Sequence, residues 1–252
     1  MEIDLNCDMG ESFGPYTIGA DAELMNYITS ANIACGAHAG DPNVMDRTVK
    51  LAKKHGVGVG AHPGFPDLAG FGRRMIDFSP NEIYQMVVYQ IGGLQAFCTI
   101  HDVKIQHVKP HGALYNLAAR DKEAAGAIAK AVYDVDSTLL LYGLAGGELL
   151  TAGRKLGLRV ASEVFADRTY QHDGSLTPRR EAGALIDNVD DAVAQVEKMV
   201  HDGAVEAVDG DFVGIAADTV CVHGDGGNAV TFAKRLHGAL RDSGITVRAI
   251  GR

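Results

Sequence analysis

Two consecutive apolar segments of this 252-residue chain end in the same tripeptide, Gly-Ala-His, within NIACGAHAGD at 32–41 and GVGAHPGFPD at 58–67. A histidine among glycines and alanines is too polar to be there for packing alone, and its small neighbours leave room for a ligand to approach, although it could equally cap a loop. Asp41 has a sufficient role of its own as a helix cap. The first segment, DLNCDMGE at 4–11, adds carboxylates. On a strand, Asp4, Asn6 and Asp8 share one face, and a buried acidic face requires hydrogen-bond donors or a cation. Asp8 with His38 and His62 would form a divalent-metal site of the two-histidine, one-carboxylate type. The same three groups could equally orient a substrate and shuttle protons without metal.

Further along, QHVKPHGALYN at 106–116 places His107 and Lys109 on one strand face, and Pro110 then puts His111 in the following loop. A lysine pointing into a mouth of this kind needs an anionic partner and can stabilise negative charge developing on an oxygen, with His111 moving the accompanying proton. His107 reads as a scaffold residue. Arg73 and Arg74 follow a glycine-rich loop and suit carboxylate or phosphate recognition, although an exposed salt bridge accounts for at least one of them. In SEVFADRTY at 162–170, Glu163 is a candidate general base, and Asp167 and Arg168 belong to a polar loop that runs through Asp173 and Arg179 as a lid or as a salt-bridged surface. CVHGDGGN at 221–228 supplies His223 and Asp225 where barrels often hold anions. Cys221 reads as core, with no basic partner. The glycine turn at 143–147 fits an anion cradle and a tight crossing equally well. The chain has neither a P-loop nor a G-x-G-x-x-G turn after a strand, so it carries no classical nucleotide-binding signature.

The elements that must hold these residues alternate. Apolar strand candidates at 2–7, 32–35, 57–61, 105–109, 138–142, 159–162 and 219–222 are separated by helical patterns, which implies parallel βα units. Helix starts are expected at Asp41-Pro42, at the capping box Ser79-Pro80-Asn81-Glu82, at Asp121, at Thr177-Pro178 and at Asp225. Chemically rich residues close nearly every strand, whereas an open sheet gathers its ligands at one switch point. The expectation is an α/β fold, a seven-stranded TIM-like barrel spanning 1–252 as one domain.

Composition narrows the function. A net charge of −9 excludes the basic stripe of a nucleic-acid binder. Cys7, Cys35, Cys98 and Cys221 have no CxxC spacing and read as reduced thiols. The acidic start lacks the form of a signal peptide, and no apolar run reaches the roughly 20 residues of a membrane span. The expectation is a cytoplasmic protein with no membrane partner.

DLNCDMGE, NIACGAHAGD, GAHPGFPD, VKPHGALYN, SEVFADRTY and CVHGD, in this order, resemble the LamB/YcsF family over essentially the whole chain. The resemblance implies a seven-stranded (β/α) barrel related to the glycoside hydrolase and polysaccharide deacetylase barrels. It also implies the role of the A subunit in the bacterial ATP-dependent 5-oxoprolinase, with 5-oxo-L-proline as substrate, ATP and Mg²⁺ as cofactors and two partner subunits, B and C. The family's strand-end positions carry over to Asp8, His38, His62, His111 and His223. With the chemistry above, Lys109, His111, Glu163 and Asp8 become the catalytic candidates. Asn6, Arg73 and Arg74 become substrate-binding candidates, as do Asp167, Arg168, His223 and Asp225. Two other classes remain open: a metal-dependent amide or ester hydrolase of the deacetylase kind, and a non-catalytic subunit that binds a small carboxylate.

Overall fold

The computed structural model describes residues 1–222 and 229–251. In chain order the strands are β1 (Glu2–Met9), β2 (Ser30–Ala34), β3 (Gly58–His62), β4 (Ile105–Val108), β5 (Leu140–Leu144), β6 (Arg159–Phe165), β7 (Ala204–Glu206), β8 (Phe212–Gly214), β9 (Thr219–Val222) and β10 (Thr246–Val247). β1 to β6 pair in succession, all parallel, and β9 joins β6 to β1 and closes a seven-stranded barrel. β10 adds to the start of β1, while β7 and β8 form a separate antiparallel pair. The seven expected strands are the seven staves. The three extra strands span only two or three residues, too short to show an alternating pattern.

The helices are α1 (Asp21–Leu24), α2 (Pro42–His55), α3 (Pro80–Ile100), α4 (Gly112–Ala118), α5 (Lys122–Val135), α6 (Glu148–Leu156), α7 (Val189–His201) and α8 (Ala229–Asp242). Their starts obey local chemistry where the cap can act. Asp41 accepts from the Val44 amide, Ser79 and Glu82 form the reciprocal box, and Asp121 accepts from the Glu123 and Ala124 amides. Thr177-Pro178 starts no helix. The Thr177 carbonyl accepts from Arg168 and its amide donates to the Thr169 carbonyl, and the following PRREAG has no apolar face to bury. The next helix instead begins after Asn188, whose side chain accepts from the Asp190 and Asp191 amides. The start expected at Asp225 lies outside the described residues. No helix among those described is long and apolar enough to cross a membrane.

β1 explains how the barrel is filled. Ile3, Leu5, Cys7 and Met9 are buried in the main apolar core, which also holds helix residues such as Val49, Leu94 and Leu236. The alternate residues Asp4, Asn6 and Asp8 therefore point inward, the reverse of an apolar-filled barrel. The interior is a polar column. Thr219 donates to Asp4, Asn6 to Thr219, Asn32 to Asn6, and His107 Nε2 meets Asn32 Oδ1 at 2.7 Å. Gly60 lies opposite His107, at a register shift between β3 and β4, and a Cβ on it would fall 2.0 Å from His107 Nε2. The scaffold role expected of His107 fits this column, in which its ring also stacks on Tyr142.

Candidate active site

Parallel strands deliver their C-terminal ends to one mouth, and the chemistry gathers there. Lys109, just past β4, is its centre. Its Nζ lies 2.8 Å from Glu163 Oε1, 3.0 Å from Asp8 Oδ1, 3.0 Å from Cys221 Sγ and 3.2 Å from Asn6 Oδ1. Burial works against the ammonium, but the carboxylates of Asp8 and Glu163 outweigh it and hold Lys109 well above the usual lysine range. Burial likewise opposes ionisation of Asp8, and His62 and Lys109 overcome it and hold that carboxyl well below its ordinary value. Burial pushes the Cys221 thiol well up, so Cys221 is a protonated thiol that accepts from the ammonium. The expectation that Cys221 has no basic partner is therefore corrected. The residue is buried as expected, but β9 and the end of β4 face each other across the barrel and bring Lys109 to it.

The second group is a nest of imidazoles. His38 lies beyond β2, His62 closes β3 and His111 precedes α4, and Glu11 folds back beside them after Gly10, whose φ is +68°. Each of the four offers one ligand atom, all within 4.8 Å of one another, so this buried cluster could hold a metal ion. His62 Nε2 also lies 3.3 Å from Asp8 Oδ2, which joins the nest to the Lys109 centre. Burial pushes His38 well below its ordinary value and His111 down to about 3, with the neighbouring imidazoles acting the same way. Both rings are neutral near pH 7. Gly72, at φ +63°, presses the glycine loop onto the nest, where a Cβ would come within 2.7 Å of His38 and 2.8 Å of His111. Phe71 packs edge-on against both rings.

The remaining expected site residues are distributed differently. Asn6 is fully buried beneath Lys109 and spends both ends of its amide inside the barrel. Arg74 is exposed and pairs with Asp67, the surface brace anticipated for one of the two arginines. Arg73 lies outside the nest with its guanidinium 5.0 Å from the Phe71 ring centre. Arg168 is buried and donates to the carbonyls of Thr177 and Ala184, so it staples its own loop. Asp167 is half-buried, and its carbonyl accepts from the Ile186 amide. Gln195 of α7 ties down the root of that loop through the carbonyls of Phe165 and Arg168. Glu163 lies within β6 and not past its end. The turn at 143–147 is a tight crossing, because the Glu148 amide donates to Ala119 and a Cβ on Gly147 would meet the Leu144 carbonyl at 3.0 Å. His223 and Asp225 lie outside the described residues. Glu11 was not singled out from the sequence. Its signal was the glycine before it, which allows the chain to turn an acid back over the strand end.

The LamB/YcsF family profile matches residues 3–252. The chain belongs to the LamB/YcsF family. Among its relatives, the A subunit of 5-oxoprolinase from Geobacillus thermodenitrificans is 63% identical over 248 residues, covering 98% of this chain and 96% of that protein. The counterpart from Bacillus subtilis is 59% identical over 249 residues, with 99% and 97% covered. In the crystal structure of the lactam utilization protein from Thermus thermophilus, 48% identical, the same fold recurs with a TM-score of 0.95 over 99% of this chain and all of the other. The barrel thus recurs across the whole of that relative's chain.

Proposed function

We propose that this chain is the ring-handling subunit of an ATP-dependent 5-oxoprolinase, which opens 5-oxo-L-proline to L-glutamate as ATP becomes ADP and phosphate. Membership of the LamB/YcsF family and the names of its relatives support the substrate class. The observation that carries the reading is the ammonium of Lys109 held at the barrel mouth between Asp8 and Glu163.

A lactam carbonyl is a poor electrophile, and ATP with Mg²⁺ supplies the phosphoryl group that activates its oxygen. Lys109 donates to the phosphorylated oxygen group and stabilises its negative charge as water adds to the ring carbon; the carbon–nitrogen bond then breaks to leave an acyl phosphate, which a second water hydrolyses to L-glutamate and phosphate. The two carboxylates divide the work by exposure. Asp8 keeps 12% of its side chain accessible while Glu163 keeps none, so Asp8 takes the proton of the attacking water and Glu163 remains the counter-charge of Lys109. Asp8 then returns that proton to the ring nitrogen as it leaves. The lack of a P-loop and the tight crossing at 143–147 support placing the nucleotide site on the two partner subunits, B and C.

The test is formation of L-glutamate and ADP from 5-oxo-L-proline by this chain alone and with both partners, with and without Mg-ATP. Glutamate in the complete mixture only is the expected result. A verified complex that makes none contradicts the proposal and turns attention to ATP-independent hydrolysis of amides and esters.

A further inference from the structure

Two hydrogen bonds fix the tautomers of the imidazole nest. His62 Nδ1 faces the Lys109 carbonyl oxygen at 2.7 Å, and His111 Nε2 faces the Phe71 carbonyl oxygen at 2.8 Å. A carbonyl oxygen only accepts, so each of those nitrogens carries the hydrogen and the other nitrogen of each ring is bare. The bare pair, His62 Nε2 and His111 Nδ1, face each other at 2.9 Å. In neutral rings this sets lone pair against lone pair, and Glu11 Oε1 adds negative charge 3.7 Å from His111 Nδ1. Three electron-rich atoms converge in a space closed by Phe71 and Gly72, an arrangement that requires a cation at its centre.

The spacing indicates which groups bind it. At metal–nitrogen bonds of about 2.1 Å, adjacent ligands of a six-coordinate ion stand about 3.0 Å apart. The His62–His111 separation of 2.9 Å matches such an edge, and the two rings stand at 85° to each other, so one ion can lie in both ring planes. His38 differs. Its ring stacks on His111 at 3.7 Å and within 4° of parallel, so an ion in the plane of His111 lies out of the plane of His38. His38 Nε2 instead comes within 3.4 Å of Glu11 Oε1, where its N–H orients the carboxylate.

We propose that His62 Nε2, His111 Nδ1 and Glu11 bind one divalent first-row transition ion, such as Zn²⁺, Co²⁺ or Mn²⁺, with His38 as the residue that positions Glu11. Asp8 stands outside the four residues whose ligand atoms lie within 4.8 Å of one another; its Oδ1 accepts from Lys109 and Asn32, and its Oδ2, 3.3 Å from His62 Nε2, adds negative charge beside the ion. This inference is independent of the lactam reading, because it is tested without substrate, ATP or partner.

The experiment titrates chelator-treated full-length chain with Co²⁺ alone, following d–d absorption and bound metal per chain. One ion per chain with a histidine-type spectrum is expected, weakened at least 100-fold in His62→Ala and His111→Ala and about 10- to 100-fold in His38→Ala. The exposed group His172, Asp209 and Asp211 offers a second place for an ion, and His172→Ala is expected to leave the titration unchanged. Folding of each variant is checked by circular dichroism, and the unmodified chain decides the matter even if a variant fails to fold. Absence of stoichiometric Co²⁺ on the folded native chain, as when a proton shared by His62 and His111 is the cation, overturns the proposal. So does a bound ion that survives His111→Ala and is lost in His172→Ala.

Discussion

Asp4 and Asp8 lie on the same face of β1, about 13 Å apart along the strand, and their surroundings differ. At the N-terminal end of the barrel, Asp4 accepts from four neutral hydroxyls: Thr29 and Ser30 on one oxygen, Tyr142 and Thr219 on the other. Burial raises its carboxyl above the ordinary range despite those bonds. At the mouth, Asp8 meets an ammonium and an imidazole, and they hold it well below that range. A buried carboxylate saturated by hydroxyls is a structural rivet, because no partner can exchange charge with it. One paired with Lys109 and His62 can receive a proton and return it. The concavity beside Asp4, lined also by Leu140, Arg159 and Asp218, accordingly reads as barrel closure and not as a second reactive centre.

Lys109→Met is the hardest blow to this comparison. It leaves Asp8 and Glu163 buried without their shared cation, and the expected cost is about 3–5 kcal/mol in urea denaturation, with glutamate formation abolished. A smaller effect is expected from His107, whose burial holds it down to about 3, against 6.5 for the ordinary histidine. Between those values the unfolded chain binds a proton that the folded chain refuses. Stability from this residue is therefore complete above pH 6.5 and falls as the pH drops towards 3, by about 1.4 kcal/mol per pH unit. In His107→Gln, the fall between pH 6.5 and pH 5 is expected to shrink by about 2 kcal/mol, as measured by denaturation at each pH. At the other end of the barrel, Asp4→Asn is expected to cost about 1–2 kcal/mol, as a carboxylate acceptor of four hydroxyls gives way to an amide. Least affected is Arg74→Ala. Removing this exposed partner of Asp67 is expected to shift the denaturation midpoint by less than about 1 kcal/mol, with turnover unchanged.

Period-two alternation in β1 made the inward row of Asp4, Asn6 and Asp8 legible from the sequence, and the apolar rhythm gave the seven staves. Repetition of Gly-Ala-His announced a nest of imidazoles. The ligand geometry was not legible, because it depends on how far each loop turns back. Gly10 returns Glu11 to the nest, and the ring planes of His38 and His111 separate an orienting residue from a ligand. Arg168 shows the opposite failure. An arginine in a polar loop carries the same local signal whether it meets substrate or, as here, staples the loop through Thr177 and Ala184. Thr177-Pro178 misled for a related reason, since a cap-like pair starts no helix where its backbone is already tied to Arg168 and Thr169.

The most direct test of the two-ended account compares Asp8→Asn with Asp4→Asn in the complete mixture of this chain, both partner subunits, Mg-ATP and 5-oxo-L-proline, at a temperature where both variants are folded. The account predicts that Asp8→Asn lowers glutamate formation by at least 100-fold while Asp4→Asn keeps a rate within about threefold of the unmodified chain. Full turnover by Asp8→Asn, or a loss confined to Asp4→Asn, would contradict it.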